Sequence, residues 1–146
     1  MAFKELSRAE VLNLLEAERV MRIGFEANGE RYLVPLGFAW HDDALYAMTT
    51  RGRKTSMAET NPNVSFQIDT SASTGPFSWH SVTGDGVFEL VTDSGEIEAI
   101  SPLLVSRFPD MPGWMQDEYG EKQKRGEVVF VRIRPSQLVG RKSEPA

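Results

Sequence analysis

The dipeptide Asn28-Gly29 constrains this chain more than any other feature, because it sits between two runs of alternating apolar residues. Asparagine and glycine adopt left-handed dihedrals at low cost, and a two-residue turn built from them matches the right-handed twist of the strands it joins. The spacing predicts a β-hairpin, with Val20 to Phe25 as one strand and Tyr32 to Trp40 as its partner. That partner alternates Tyr32, Val34, Leu36, Phe38 and Trp40 on one face with Leu33, Pro35, Gly37 and Ala39 on the other. The second face is small. Pro35 removes a ladder donor and Gly37 a side chain, which fits an edge strand with a bulge, or a place where the sheet opens and a flat ligand meets the backbone.

The rest of the chain is read around this hairpin. Ser7 can cap a helix, Glu10 can return the bond and Leu6 can staple onto Val11, so a helix carrying Val11, Leu12, Leu14 and Leu15 is expected to run to about Glu18. After the hairpin, His41-Asp42-Asp43 turns the chain into a strand over Ala44 to Thr49, and Thr50 to Lys54 leads into a short helix that ends at Asn61-Pro62. Val64, Phe66 and Ile68 alternate as a further strand, Thr70 to Pro76 is a polar loop, and Ser78 to Val91 is a long strand whose Gly84 and Gly86 suggest curvature. Asp93 with Glu96 can cap a helix through about Phe108, interrupted by Pro102; Pro109 to Gly126 reads as irregular, and Val128 to Ile133 as a last strand before a charged tail. The regular strand–helix alternation of a parallel sheet is missing. The expectation is therefore a mainly β fold, a small barrel of about six antiparallel strands with flanking helices.

Composition narrows the chemistry. The chain of 146 residues fits one domain, 1–146, and its 40% hydrophobic and 25% charged residues are those of an ordinary globular protein. Cysteine is absent, which excludes disulfides, thiolate metal sites and thiol catalysis, and leaves His41 and His80 with carboxylates as candidate metal ligands. Both histidines read as turn and strand-surface residues, so neither a metal nor a haem is expected. Met1 to Glu10 lacks the apolar stretch of a signal peptide and no run is long enough to cross a bilayer, so a soluble, cytoplasmic protein is expected, without a membrane partner. A net charge of -5 repels polyanions at long range, which argues against nucleic acid as a partner. Asp42-Asp43 and Asp69 lack the partners that paired-carboxylate catalysis needs, and no catalytic residue is assigned.

Any anion must then be met by a local concentration of positive charge, and Thr49-Thr50-Arg51-Gly52-Arg53-Lys54-Thr55 is one. It places three hydroxyls, three cations and a glycine between a strand end and a helix start. Hydroxyls, freed backbone amides, the positive helix end and charged forks together satisfy a phosphate dianion. The spacing of a Walker A loop is absent. Taken alone, the stretch fits a phosphate cradle or a solvated charged turn equally well.

The order Val20-Met21-Arg22-Ile23-Gly24, Leu33-Val34-Pro35-Leu36-Gly37-Phe38, Leu45-Tyr46-Ala47-Met48-Thr49-Thr50-Arg51-Gly52-Arg53-Lys54, Asn61-Pro62-Asn63-Val64-Ser65-Phe66 and Trp79-His80-Ser81-Val82, followed by Gly86, resembles the pyridoxamine 5′-phosphate oxidase-like FMN-binding split barrels. The closest likeness is to their nitroimidazole-resistance branch. It covers Glu5 to Val91 well and the last strand weakly, and its most specific part is Gly52-Arg53-Lys54 with the later Asn61-Pro62-Asn63-Val64. The resemblance implies FMN as cofactor, its phosphate gripped by Arg53 and Lys54 with help from Thr49 or Thr50 beside Met48. It implies that Pro35, Leu36 and Gly37 lie along the isoalloxazine ring, and that Ser81 reaches the ring's polar edge with Trp79 nearby. On its residues alone, Trp79 reads as a core or interface aromatic, and Ser81 as either a site residue or an ordinary strand residue.

The family's C-terminal Trp and Arg-x-His substrate segment has no counterpart in Val131-Arg132-Ile133-Arg134-Pro135-Ser136, so oxidation of a B6 vitamer is not expected. What the resemblance implies is an oxidoreductase that passes hydride or electrons from an NAD(P)H-type donor to a small-molecule acceptor. A flavin-binding or flavin-storing protein without catalysis, and a deazaflavin-dependent reductase of the same fold, are the alternatives. The resemblance also implies a homodimer with flavins between the subunits, and Trp114, Met115 and Tyr119 are apolar residues that one small barrel need not cover by itself.

Overall fold

The computed structural model describes residues 3–143; Met1, Ala2 and the last three residues of the expected charged tail lie outside them. Asn28 and Gly29 take φ of 54° and 77°, and their turn joins β2 (Val20–Ala27) to β3 (Glu30–Gly37) in the expected hairpin. Before it, β1 (Phe3–Glu5) leads to α1 (Arg8–Ala17), where Ser7 Oγ accepts from the Glu10 amide and Glu10 accepts from the Ser7 amide. A ten-residue helix is marginal alone. Leu14 and Leu15 are buried, each contributing about 2 kcal/mol, and tie it to the core.

The remaining elements are β4 (Ala39–His41), β5 (Ala44–Thr50), α2 (Arg53–Thr60), β6 (Asn63–Asp69), α3 (Ser71–Thr74), β7 (His80–Val91), α4 (Ser94–Arg107), α5 (Gly113–Lys124) and β8 (Val128–Ser143). The strands form one antiparallel sheet in the order β3-β2-β6-β7-β8-β5-β4, with β1 added on β8. β3 and β4 stand at opposite ends of that order, yet only Phe38 separates them in sequence. The sheet must therefore curl until its two ends meet, and Phe38 is completely buried at the junction. The inner face packs Met21, Ile23, Phe66, Ile68, Val131 and Ile133 into one core.

Curling has a local cause in β7. A Cβ on Gly84 would lie 2.5 Å from the Gln137 carbonyl oxygen, and one on Gly86 would lie 2.8 Å from that of Arg134. The register between β7 and β8 shifts between them, at Asp85/Gly86, so the glycines allow β8 to approach closely through a bulge.

The described residues form eight strands where about six were expected. The single strand from Tyr32 to Trp40 is broken at Phe38 into β3 and β4, and β1 was not foreseen. β8 continues past Ile133 to Ser143, pairing with β7 and β1, so most of the expected tail is sheet. Pro109 to Gly126 is not irregular either: α5 occupies Gly113–Lys124 although none of its residues is buried. α3 lies within the expected loop at Thr70 to Pro76.

A second, smaller core lies under α4, where Ile100 and Leu104 meet Tyr46 and Val91. Above it Arg132 Nη1 donates to both Glu96 oxygens at 2.6 Å, Nη2 donates to Glu89 at 3.2 Å, and the Tyr46 hydroxyl donates to Glu96 at 2.7 Å. The bonds from Arg132 and Tyr46 hold the Glu96 carboxyl below its ordinary range, and burial, with Glu96 alongside, pushes the Tyr46 phenol up.

Candidate functional site

α2 begins where β5 ends, one turn of chain later. The Gly52 amide donates to Thr55 Oγ1 at 2.9 Å and the Thr55 hydroxyl donates to the Gly52 carbonyl at 3.0 Å, so Thr55, counted from sequence among the run's three hydroxyls, fixes the entry to the helix. The Arg51 amide donates to the Glu127 carbonyl at 2.8 Å and anchors the loop to the start of β8. Backbone amides in a helix's first turn lack intrahelical acceptors, and here they sit beside Arg53 and Lys54 with no acidic residue among them. Cations there oppose the helix dipole by about 0.3–1 kcal/mol each. Arg53 is offset in part by the Tyr32 ring, whose centroid lies 4.3 Å from its guanidinium carbon, and by exposed Glu30 at 3.9 Å. Lys54 and Arg51 have no ion pair among the described residues. An anion at this helix start would reverse the unfavourable charge placement.

The other expected site residues divide. Thr50 is half-buried at the end of β5, whereas Thr49 is buried and Met48 packs toward the core under α4. On β3, Pro35 is exposed, Leu36 is buried and Gly37 is half-buried. β3 ends the sheet, so one of its edges has no strand partner among the described residues, and it approaches β5 across the split. Tyr32 of β3 lies against Arg53, so the start of α2 stands beside β3, and Pro35 and Gly37 lie farther along that strand. Ser81 does not join them in one chain: β2 and β6 lie between its strand and β3, a separation of about 14 Å across the sheet. Its hydroxyl instead accepts from Gln67 Nε2 at 3.1 Å, in a polar row with Asp69. Trp79 belongs to neither core cluster and is not stacked on a site residue; it is half-buried, 6.1 Å from the Phe3 ring.

The sheet's outer face carries a trough that the sequence reading did not single out. A concavity of about 720 Å³ is lined by Arg31, Tyr32, Leu33, Asn61 and Asn63, and an adjoining one of about 470 Å³ shares Gly24, Leu33, Ser65 and Asp85 with it. Tyr32 belongs to this trough and also supports Arg53, so the helix start opens onto it. The alternation Arg22, Gly24, Glu26 along β2 was its sequence signal, two charges around a glycine on the face away from the core.

The family profile for pyridoxamine 5′-phosphate oxidase matches residues 7–142. The chain belongs to the pyridoxamine 5′-phosphate oxidase family. An FAD-binding protein from Mesorhizobium loti has a similar structure, at 29% identity and TM-score 0.78, with 99% of each chain covered. An FAD-binding protein from Mycobacterium smegmatis matches at 21% identity and TM-score 0.72 over 98% of this chain and 100% of that one. A proposed 5-nitroimidazole antibiotic resistance protein from Bacteroides thetaiotaomicron matches at 16% identity and TM-score 0.70 over 99% and 93%. The last two show the fold alone. No curated protein matches the chain in sequence. The resemblance drawn from Gly52-Arg53-Lys54 and Asn61-Pro62-Asn63-Val64 is borne out for family and fold, and as in other members of the oxidase family a curled antiparallel sheet carries flanking helices. No described helix is long and apolar enough to cross a membrane.

Proposed function

We propose that this chain binds FMN at the split between β3 and β5 and works as an oxidoreductase on a small-molecule acceptor. The observation that carries the reading is the start of α2. Two cations stand there against the helix dipole, one of them without a counter-ion among the described residues, beside the open edge of β3 in a member of this family. Arg53, Lys54 and Thr50 would hold the phosphate, and Pro35 and Gly37 would offer the ring a backbone surface free of bulky side chains. FMN held by these residues would supply the redox chemistry, the capacity to accept a hydride or single electrons from an NAD(P)H-type donor. The residues of the chain bind and orient, and none has to act as acid or base.

FMN is favoured over FAD because no dinucleotide-binding fingerprint accompanies the cradle. Purified protein is expected to be yellow and to release FMN on denaturation. Equal affinity for riboflavin and FMN would sink the phosphate reading, and release of FAD would correct the cofactor. Turnover with NADH or NADPH tests the oxidoreductase.

The same reading takes the chain as a homodimer. Leu33 is 71% exposed on the outer trough, with Val20, Val87 and Val139 also exposed on the sheet, while Trp114 is exposed on α5. Light scattering on FMN-loaded protein is expected to give twice the chain mass; a monomer at micromolar concentration contradicts it.

A further inference from the structure

Gly37, the last residue of β3, is crowded from one direction. A Cβ built there would lie 2.7 Å from Phe108 Cζ and 3.2 Å from its Cε1, so the tip of the Phe108 ring rests on the glycine backbone. Two residues earlier Pro35 is exposed. The Pro35–Gly37 strip is therefore open at one end and stopped at the other.

Phe108 is half-buried and belongs to neither core cluster. A polar clasp holds its segment instead. The Arg19 guanidinium carbon lies 5.7 Å from the ring centroid, and Arg19 donates to both Asp110 oxygens, at 2.7 and 3.1 Å. Arg107 Nη2 donates to the carbonyls of Glu16 and Glu18, each at 2.6 Å. The Phe38 amide donates to the Arg19 carbonyl at 2.9 Å, so the clasp grips the same corner at which β3 passes into β4. An aromatic ring held in place over the end of a strip whose last residue carries no side chain gives a flat conjugated ligand an apolar wall to abut.

We infer that Phe108 is the end wall of the slot in which the flavin ring lies, a positioning residue whose ring limits how far a ligand can advance along β3. The inference rests on the reading that the ring lies along Pro35–Gly37. It also gives Gly37 a defined role: a methyl group there would push the wall aside rather than collide with backbone.

Titration of riboflavin and FMN into the unaltered chain, Phe108→Ala, Gly37→Ala and the double variant tests it. A ring contact acts on both flavins alike, whereas a phosphate contact acts on FMN alone. Phe108→Ala is expected to weaken both by the same factor, about three- to tenfold, and to change the shape of the bound flavin's visible absorption band. Gly37→Ala should weaken both less, and the double variant should again weaken riboflavin and FMN by one common factor. If Phe108→Ala leaves both affinities and the spectrum unchanged while lowering only the melting temperature, Phe108 is a structural plug and the inference is overturned with the phosphate reading intact. A loss confined to FMN overturns it equally. An unaltered chain that binds neither flavin overturns both readings together.

Discussion

Under α4 the Arg132 guanidinium donates to Glu96 and Glu89, is only 16% exposed, and shares Glu96 with the Tyr46 hydroxyl. At the start of α2, Lys54 has no ion pair among the described residues and Arg53 has a ring and one loosely placed carboxylate. The first cation is engaged in holding α4 onto the sheet, and removing it would leave carboxylates without their counter-charge. The second group is held ready by the helix start without being neutralised there. Charge that is satisfied inside the fold contributes to stability, and charge left facing an opening is available to a ligand. The same residue types serve both ends because burial and partners, not identity, decide their role.

The largest effect expected from this contrast is on folding. Arg132→Ala should lower stability by about 2 kcal/mol, because half-buried Glu96 loses its charge-assisted hydrogen bonds while Glu89, 42% exposed, is screened by solvent. Lys54→Ala should cost under about 0.5 kcal/mol, as a surface change away from the core does. Urea unfolding of the two variants measures both, and equal losses would break the comparison.

On binding the order reverses. Lys54→Ala and Arg53→Ala should each weaken FMN by about ten- to hundredfold through a lost charge-assisted hydrogen bond, with riboflavin nearly indifferent. Arg51→Ala should do less: its amide keeps its bond to Glu127 in the variant, and its side chain lies outside the matched Arg-Lys pair. Isothermal titration decides, and an Arg51 variant as damaging as the Lys54 one would show that the cradle is assigned to the wrong residues.

A smaller, pH-dependent effect sharpens the distinction within the satisfied group. The Ser7 amide and Lys142 hold the Glu10 carboxyl at about 2, below the ordinary 4.5. A carboxyl depressed in the folded state adds stability above its unfolded value and loses it as pH falls toward the folded one. The stability gap between the unaltered chain and Glu10→Gln should be full above pH 4.5 and should close as the pH falls toward about 2. A gap that persists at the acid end would mean that charge is not its source. The smallest effect belongs to the exposed pair of Arg53 and Glu30: Glu30→Ala should change stability by less than about 0.5 kcal/mol and should not weaken FMN binding.

Much of this was legible before the structure. The hairpin at Asn28-Gly29, the Ser7/Glu10 cap and the Asp93 cap of α4 are local patterns whose hydrogen bonds close within a few residues, and each stands where its residues put it. α5 was not legible. Its two glycines and the prolines before it argue against a helix, and with no buried residue it has no apolar face to announce one. The run from Arg134 to Ser143 reads as polar and charged, and became strand because β7 pairs along it and β1 adds to Arg141, Lys142 and Ser143. For the candidate site, Arg53 and Lys54 were legible as a dense run of charge, whereas Phe108, about seventy residues beyond Gly37, had no local signal at all.

By itself the sequence determined the local elements and the charge run between β5 and α2, because turn dihedrals, caps and apolar periodicity act over the span of one element. Tertiary structure alone decided that β3 and β4 meet as the two ends of a curled sheet, that Thr49 is buried while Thr50 is half-buried, and that β2 and β6 separate the strand of Ser81 from β3. Those outcomes depend on strand order and register, which follow from packing many distant residues into one core and cannot be read from any single segment.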